Sequence, residues 1–287
     1  MRKPNLFIPG FPKSGTSALH SALVSHPEIY DGGRKDPKTY TYDNRYKKRE
    51  SFFKNCYDNS SARYILDSST TYMVCKHAKK RILNETPNAK FIIVARDPID
   101  RIVSHYNWLS SFNFIENKPL EEINNHKKEK FNYRNHYRGK YKAYIDFSLY
   151  GEQMRELLNV TDKSNVLFLL YEELFADFNK FKPIMGEFLN LNLQNVTIEK
   201  VNKTSFDKDS NKNKPSFIKR ILGRLRFELR VLKGNPRGLN VNNPQKYKTT
   251  RNDLEDVIIP VLKDDILLLE SLGYRLDSWS TFQSIKY

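Results

Sequence analysis

Lys13, Ser14, Gly15, Thr16 and Ser17 stand in five consecutive positions. The lysine carries a full positive charge, the three hydroxyls are hydrogen-bond donors, and the glycine lets the backbone turn tightly. Residue types of this kind in one short stretch suit a bound anion, and phosphate is the natural occupant.

The flanking elements aim these groups at one point. Leu6-Phe7-Ile8 reads as a short apolar strand, and Pro9 to Gly15 as a Gly/Pro/Ser loop. A helix follows, with Ala18, Leu19, Ala22 and Leu23 on one face. A loop that leaves a strand and opens a helix presents free backbone N–H groups, and the helix dipole adds partial positive charge there. Gly10 and Gly15 have the spacing of a P-loop, G-x-x-x-x-G-K-[ST]. Ser17 fills the last place of that motif, but Thr16 stands where its lysine belongs and Lys13 lies inside the loop. A nucleoside-triphosphate enzyme needs that lysine on the β/γ-phosphates, beside a bound magnesium. The displaced lysine fits a different phosphorylated donor better. A P-loop kinase of a nucleotide or small molecule stays open as the alternative, with Asp97 as its magnesium-binding acid.

Further along, Arg63–Leu66 reads as a strand ending in Asp67-Ser68-Ser69-Thr70-Thr71-Tyr72. Phe91-Ile92-Ile93-Val94-Ala95 is an unbroken apolar run of the kind buried in parallel sheets. It delivers Arg96 and Asp97-Pro98, where Asp97 suits an N-cap and Pro98 the first helical position. Ile99, Ile102, Val103 and Tyr106 should face the core, leaving Asp100, Arg101 and Ser104 on the helix surface. Val166–Tyr171 is another buried strand, followed by a helix running from Glu172 towards Leu189. Helices are expected over Lys76–Glu85, Leu149–Leu158, Phe217–Leu232 and Leu254–Leu272. Strands alternating with helices give an α/β class, a P-loop-like three-layer fold with a central, mainly parallel sheet flanked by helices. Ligands in such folds bind beyond the carboxyl ends of the strands. The Lys13 loop, Asp67–Tyr72, Arg96 and Tyr171 all fall at such ends. Residues 1–287 form one domain in this reading, with 112–144 as a surface insertion and 203–251 as a basic region completing the site.

The chain has a formal net charge of +16, and from Lys200 to Arg251 fifteen basic residues face three acids. Such a field attracts polyanions, so a non-catalytic polyanion-binding module is a second alternative. No nucleic-acid partner is expected. Cys56 and Cys75 are too few for a disulfide framework or zinc site, and the six histidines show no metal spacing. No apolar run is long enough for a membrane span, and Met1-Arg2-Lys3-Pro4-Asn5 leads straight into the first strand without a signal peptide. A cytoplasmic protein without a metal is the expectation.

Pro12-Lys13-Ser14-Gly15-Thr16-Ser17 resembles the 5′-phosphosulfate loop of sulfotransferases that use 3′-phosphoadenosine 5′-phosphosulfate (PAPS). Arg96-Asp97-Pro98, with Ser104 eight residues after the arginine, is similar to that family's 3′-phosphate segment. The resemblance implies that Arg96 and Ser104 hold the 3′-phosphate of the donor, a bidentate guanidinium beside a hydroxyl. It puts Tyr171, in Tyr171-Glu172-Glu173-Leu174, beside the adenine, and Lys203-Thr204-Ser205-Phe206 matches the adenine loop through Thr204 and Phe206. Lys233-Gly234 or Arg237 would complete the 3′-phosphate site. Ala18 replaces the tryptophan usual in cytosolic small-molecule members. Lys35-Asp36-Pro37-Lys38-Thr39-Tyr40 looks more like carbohydrate members of the heparan sulfate kind, whose Lys-Glu pair precedes aromatics. Their glutamate is the base, so Asp36 is the corresponding candidate, with Lys35, Asp67 and Ser68 on the acceptor side. Ser68 stands where those enzymes carry a lysine. The implied activity is in-line transfer of a sulfuryl group from PAPS to a hydroxyl or amine, with Lys13 stabilising the leaving group.

Overall fold

The computed structural model describes residues 1–111, 114–115, 117–133, 141–198 and 247–286. Thr204, Phe206, Lys233, Arg237 and the helix read over Phe217–Leu232 lie outside the described residues. Five strands make the sheet: β1 Leu6–Phe7, β2 Ile29–Tyr30, β3 Tyr64–Asp67, β4 Lys90–Ala95 and β5 Val166–Leu170. Their order is β2-β3-β1-β4-β5, and every pairing is parallel. All five carboxyl ends therefore lie along one edge. Leu6 pairs with Leu66 on one side and with Lys90 on the other, which puts β1 at the centre.

Both faces of the sheet are covered, which is why β4 is apolar at every inner position. Ile92 and Val94 point to a cluster with Leu6, Ile8 and Leu66. That cluster is closed by Leu19 and Leu23 of α1 (Thr16–Val24), and by Met185 and Leu189 of a later helix, α9 (Phe178–Leu189). Phe91, Ile93 and Ala95 point the other way, against Ile99, Ile102 and Tyr106 of α5 (Pro98–Ser111). Alternation of side chains along a strand produces these two sets. Asp43–Lys47 (α2), Arg49–Tyr57 (α3), Lys76–Glu85 (α4) and Tyr150–Leu158 (α7) flank the sheet, with α10 (Glu255–Ser271) and α11 (Ser280–Lys286) at the end.

Three departures from the sequence reading matter for the site. Arg101 is fully buried rather than on the helix surface, because Tyr144 and the 3₁₀ turn Asp146–Ser148 cover that side of α5. The stretch 112–144 holds a helix, α6 (Pro119–His126), and contributes Ile115, Ile123 and Tyr144 to the core. The helix read from Glu172 to Leu189 is two, α8 (Tyr171–Ala176) and α9, because Asp177 leaves helical geometry and caps the second by accepting from Asn179 N. Both cysteines are free thiols. Among the described residues no helix is long and apolar enough to cross a membrane.

Candidate active site

The turn between β1 and α1 contains two residues in left-handed geometry, Lys13 (φ 71°) and Gly15 (φ 79°), on either side of Ser14. Gly15 is required twice over. Its φ disfavours any side chain, and a Cβ there would lie 2.4 Å from Phe175 Cε2 and 3.0 Å from Tyr171 Cδ2. It also stands at the N-cap of α1 with no side chain to cap the helix. Ala18 N donates to Gly15 O, so it is the N–H groups of Thr16 and Ser17 at the start of α1 that suit another partner, and an anion is the one their dipole favours. Ser14 is buried, and its Oγ has no hydrogen-bond partner.

Three cations converge on this turn. The Lys13 ammonium sits 5.1 Å from the centre of the Trp108 ring. Burial pushes its pKa down to about 8, helped by the charges of Arg96 and Arg101. Arg101 is fully buried, with no carboxylate partner among the described residues; it donates to Ser148 Oγ (2.6 Å) and to Tyr144 O (2.6 Å). Burial brings its pKa down to about 10. It also faces His105 Nδ1 at 3.4 Å. Burial and the charges of Arg101 and Lys13 hold His105 well below the ordinary histidine range.

Arg96 follows β4, its guanidinium carbon 4.8 Å from the centre of the Tyr171 ring. Its Nε is buried without a hydrogen-bond partner. Tyr171 opens α8 directly after β5, and its ring packs on Phe175 at 4.5 Å and under Gly15. One tyrosine thus touches both the Lys13 turn and Arg96, which are 83 positions apart in the chain. Ser104 is half-buried on α5, two turns beyond Arg96. Like charges crowded around Lys13, together with unpaired buried donors at two points, are a costly arrangement without an anionic ligand, even with Asp100 and Glu172 within electrostatic reach of Arg96.

A buried network that the sequence reading left unassigned holds the Arg96 turn. Asp97, 2% exposed, accepts from Ile99 N and from Asp100 N as the cap of α5. It also accepts from Arg251 Nη1 (2.9 Å), Thr281 Oγ1 (2.7 Å) and Thr281 N (2.8 Å). Glu172 bridges Asp97 N (2.9 Å) to Trp279 Nε1 (3.0 Å). Both Asp97 oxygens are therefore committed within the fold, unlike those of the magnesium-binding acid of a kinase. Among the described residues no group of histidines, cysteines and acids could hold a metal.

The acceptor-side candidates adjoin the same edge. Asp67 is fully buried at the end of β3, accepting from Ser69 Oγ (2.6 Å) and Tyr72 Oη (2.7 Å). Burial raises its pKa to about 7 against the effect of those two donors. Ser68 is also buried and meets His20 Nδ1 at 2.8 Å. Asp36 lies in a loop where both it (φ 58°) and Lys38 (φ 55°) are left-handed. Its carboxylate accepts from Thr70 N (3.3 Å) and pairs with Lys38 Nζ (3.1 Å). Lys35 is exposed, within the electrostatic reach of Asp36, Lys38 and Asp67. Lys38, not singled out from sequence, also reaches the ring of Tyr141 at 5.6 Å. The Asp67–Met73 turn is the shared wall: Thr70 N meets Asp36, and Met73 N donates to Pro9 O (3.2 Å) beside the Lys13 turn.

Comparison with known proteins agrees with this layout. Residues 3–224 match the model of the sulfotransferase domain. The chain is 29% identical over 117 residues to mouse (Mus musculus) heparan sulfate glucosamine 3-O-sulfotransferase 6, covering 37% of this chain and 30% of that protein. It is 30% identical over 113 residues to human (Homo sapiens) bifunctional heparan sulfate N-deacetylase/N-sulfotransferase 3, covering 37% and 13%. The chain thus spans less than a third of the length of these two relatives. Among solved structures, a sulfotransferase from Alicyclobacillus acidocaldarius superposes with a TM-score of 0.69 at 20% identity, covering 97% of this chain and 99% of that one, and shares the fold. With most of its length matched by the domain model and its cationic turn at the edge of a parallel sheet, the chain belongs to the sulfotransferase family.

Proposed function

We propose that the protein moves a sulfuryl group from PAPS to a hydroxyl or amine of a carbohydrate or glycoconjugate. The observation that carries this reading is the pooling of Lys13, Arg96 and Arg101 closely enough for the two guanidiniums to depress the Lys13 pKa, with Ser14 Oγ and Arg96 Nε buried and unpaired. These residues fit a ligand that is anionic at two ends. The Lys13 turn, with Ser14, Gly15, Thr16 and Ser17, would hold the 5′ end. Arg96 and Ser104 would hold the 3′-phosphate, and Tyr171 the base. Thr204, Phe206 and Lys233 would complete the donor site from the region 203–251.

The donor would supply the sulfuryl group itself. Lys13 Nζ and the α1 N–H groups would meet negative charge as it develops on the leaving oxygen, the role of preorganised donors. Asp36 would take the acceptor proton, a task that typically contributes about 10²–10⁴-fold. Lys35 belongs to the acceptor side of this reading, whereas Ser68 and Asp67, both fully buried and bonded to His20 and to Ser69 and Tyr72 respectively, would back that side without touching the acceptor. A carbohydrate acceptor is supported by the heparan sulfate relatives, which include both an O- and an N-sulfotransferase.

Two measurements test the proposal. Adenosine 3′,5′-bisphosphate should raise the unfolding temperature equally with magnesium or with EDTA, and ATP with magnesium should not. Labelled PAPS incubated with a glycan panel should then give a labelled polysaccharide. Stabilisation by ATP only with magnesium would favour a kinase. Binding that ignores the 3′-phosphate and fades steeply with salt would favour a polyanion-binding module.

A further inference from the structure

Away from the cationic turn, His20 of α1 is 6% exposed in the middle of an apolar helix face. Its Nε2 meets Asp31 Oδ2 at 3.1 Å and its Nδ1 meets Ser68 Oγ at 2.8 Å. The carboxylate can only accept, so Nε2 carries the proton and Nδ1 accepts from the serine hydroxyl. Burial, the leading effect, lowers the His20 pKa in line with a neutral ring, against the opposing pull of Asp31; the Lys35 charge also lowers it. The order Ser-His-Asp is that of a hydrolase triad, but Ser68 is fully buried and cannot reach a substrate. A different role is needed to account for three buried polar groups in a core.

The three residues come from three segments. His20 belongs to the helix that opens with Thr16 and Ser17, Ser68 follows β3, and Asp31 follows β2 at the start of the loop carrying Lys35, Asp36 and Lys38. The far end of that loop is pinned to the Asp67–Met73 turn by Lys38 N to Ser69 Oγ (2.8 Å), Tyr40 N to Tyr72 Oη (3.3 Å) and the Thr41–Thr71 hydroxyl pair (2.7 Å). At the near end Asp31 Oδ1 accepts from Gly33 N (2.8 Å), and Oδ2 is held by His20. We propose that His20 is a positioning residue that fixes the near end of the Asp31–Tyr40 loop against the helix of the anion turn, so that Asp36 and Lys35 are held for the acceptor. The inference rests on reading that loop as the acceptor side of a sulfotransferase.

The two ring nitrogens can be tested separately, since an Asn amide imitates Nδ1 and a Gln amide imitates Nε2. His20→Asn keeps the Ser68 contact and loses Asp31, whereas His20→Gln keeps Asp31. With N-desulfated heparan sulfate as the acceptor probe, His20→Asn should raise KM about tenfold, the effect of one hydrogen bond to a charged group. His20→Gln should stay close to the parent. Amide hydrogen exchange should speed up over residues 31–36 in the Asn variant and not over β4. Affinity for adenosine 3′,5′-bisphosphate should change by less than about twofold. Asp31→Ala should reproduce the Asn pattern if His20→Asn does not fold. Unchanged exchange over 31–36, equal damage from Asn and Gln, or a parallel loss of nucleotide affinity would each overturn the inference. Exchange and nucleotide binding need no acceptor, so an inactive parent protein would count against the proposed function and leave this test intact.

Discussion

Lys13 and Trp108 face each other across the mouth of the anion turn, the ammonium 5.1 Å from the indole centre. The ring shields the cation from water without neutralising it, and Arg96 and Arg101 add like charge, so Lys13 titrates near pH 8 in the free protein. An anionic nucleotide would favour the protonated form and raise that pKa. Affinity for adenosine 3′,5′-bisphosphate should therefore be flat at lower pH and weaken as pH rises through about 8, with net proton uptake on binding in that range. Calorimetry in two buffers of different ionisation enthalpy measures the uptake directly. Lys13→Arg should abolish it, and pH-independent binding up to pH 9 would contradict the assignment. Lys13→Ala should lower turnover by roughly 10²–10³-fold, the cost of losing one preorganised donor.

Arg101 adds to the field that burial and Arg96 already impose on Lys13. Replacing it with methionine removes a buried cation that has no acidic partner among the described residues, and leaves Ser148 Oγ and Tyr144 O without their donor. Stability should change little, because relief of the buried charge offsets a loss of about 1–3 kcal/mol for each unpaired group. Nucleotide affinity should fall about tenfold, and the Lys13 transition should move upward from about pH 8, towards the value of a free lysine. An unmoved transition in the calorimetric profile would show that the two charges do not couple.

Lys13, Arg96 and Tyr171 were legible from sequence because each follows an apolar run, and parallel strands bring such ends to one edge. Arg101 was not. On helical periodicity it belongs with Asp100 on the solvent side, and the segment that buries it, Tyr144 to Ser148, comes more than forty residues later in a polar stretch with no repeating pattern. His20 was hidden for a related reason: its partners at positions 31 and 68 become neighbours only once β2 and β3 pair. The break at Asp177 carried a signal, an Asp followed by the donor it caps at Asn179, but the proline and glycine of that stretch, Pro183 and Gly186, fall inside α9 rather than at the break. The Asp97 network needed Arg251 and Thr281, which reach back to the β4–α5 turn from the far end of the chain.

Gly15 carries a prediction about shape. Gly15→Ala must tolerate φ 79° and a Cβ 2.4 Å from Phe175 Cε2. The strained backbone alone costs about 1–3 kcal/mol, and nucleotide binding should be lost along with it because Tyr171 is displaced. Adding Phe175→Leu should recover part of the stability by removing the collision, while the backbone strain persists. Denaturant midpoints of the two variants and the parent give the comparison; no recovery in the double variant would mean that the φ requirement dominates.

Asp97 separates a structural acid from a metal ligand. Each of its oxygens already accepts from partners within the fold, Arg251 and Thr281 among them. Asp97→Asn would turn one oxygen into a donor facing donors, and should cost about 3–5 kcal/mol, as breaking a buried ion pair does. Arg251→Met should cost less, since Arg251 is 20% exposed and its loss leaves Asp97 with Thr281 and the α5 amides. The double variant should show a coupling of about 1–3 kcal/mol between residues 154 positions apart. Nucleotide affinity should fall in both single variants, because Arg96 is carried by the turn that this network holds. A magnesium-binding role predicts the reverse: an Asp97→Asn protein of unchanged stability that has lost a magnesium-dependent response to ATP. Urea unfolding of the four proteins, with nucleotide titrations in magnesium and in EDTA, distinguishes the two.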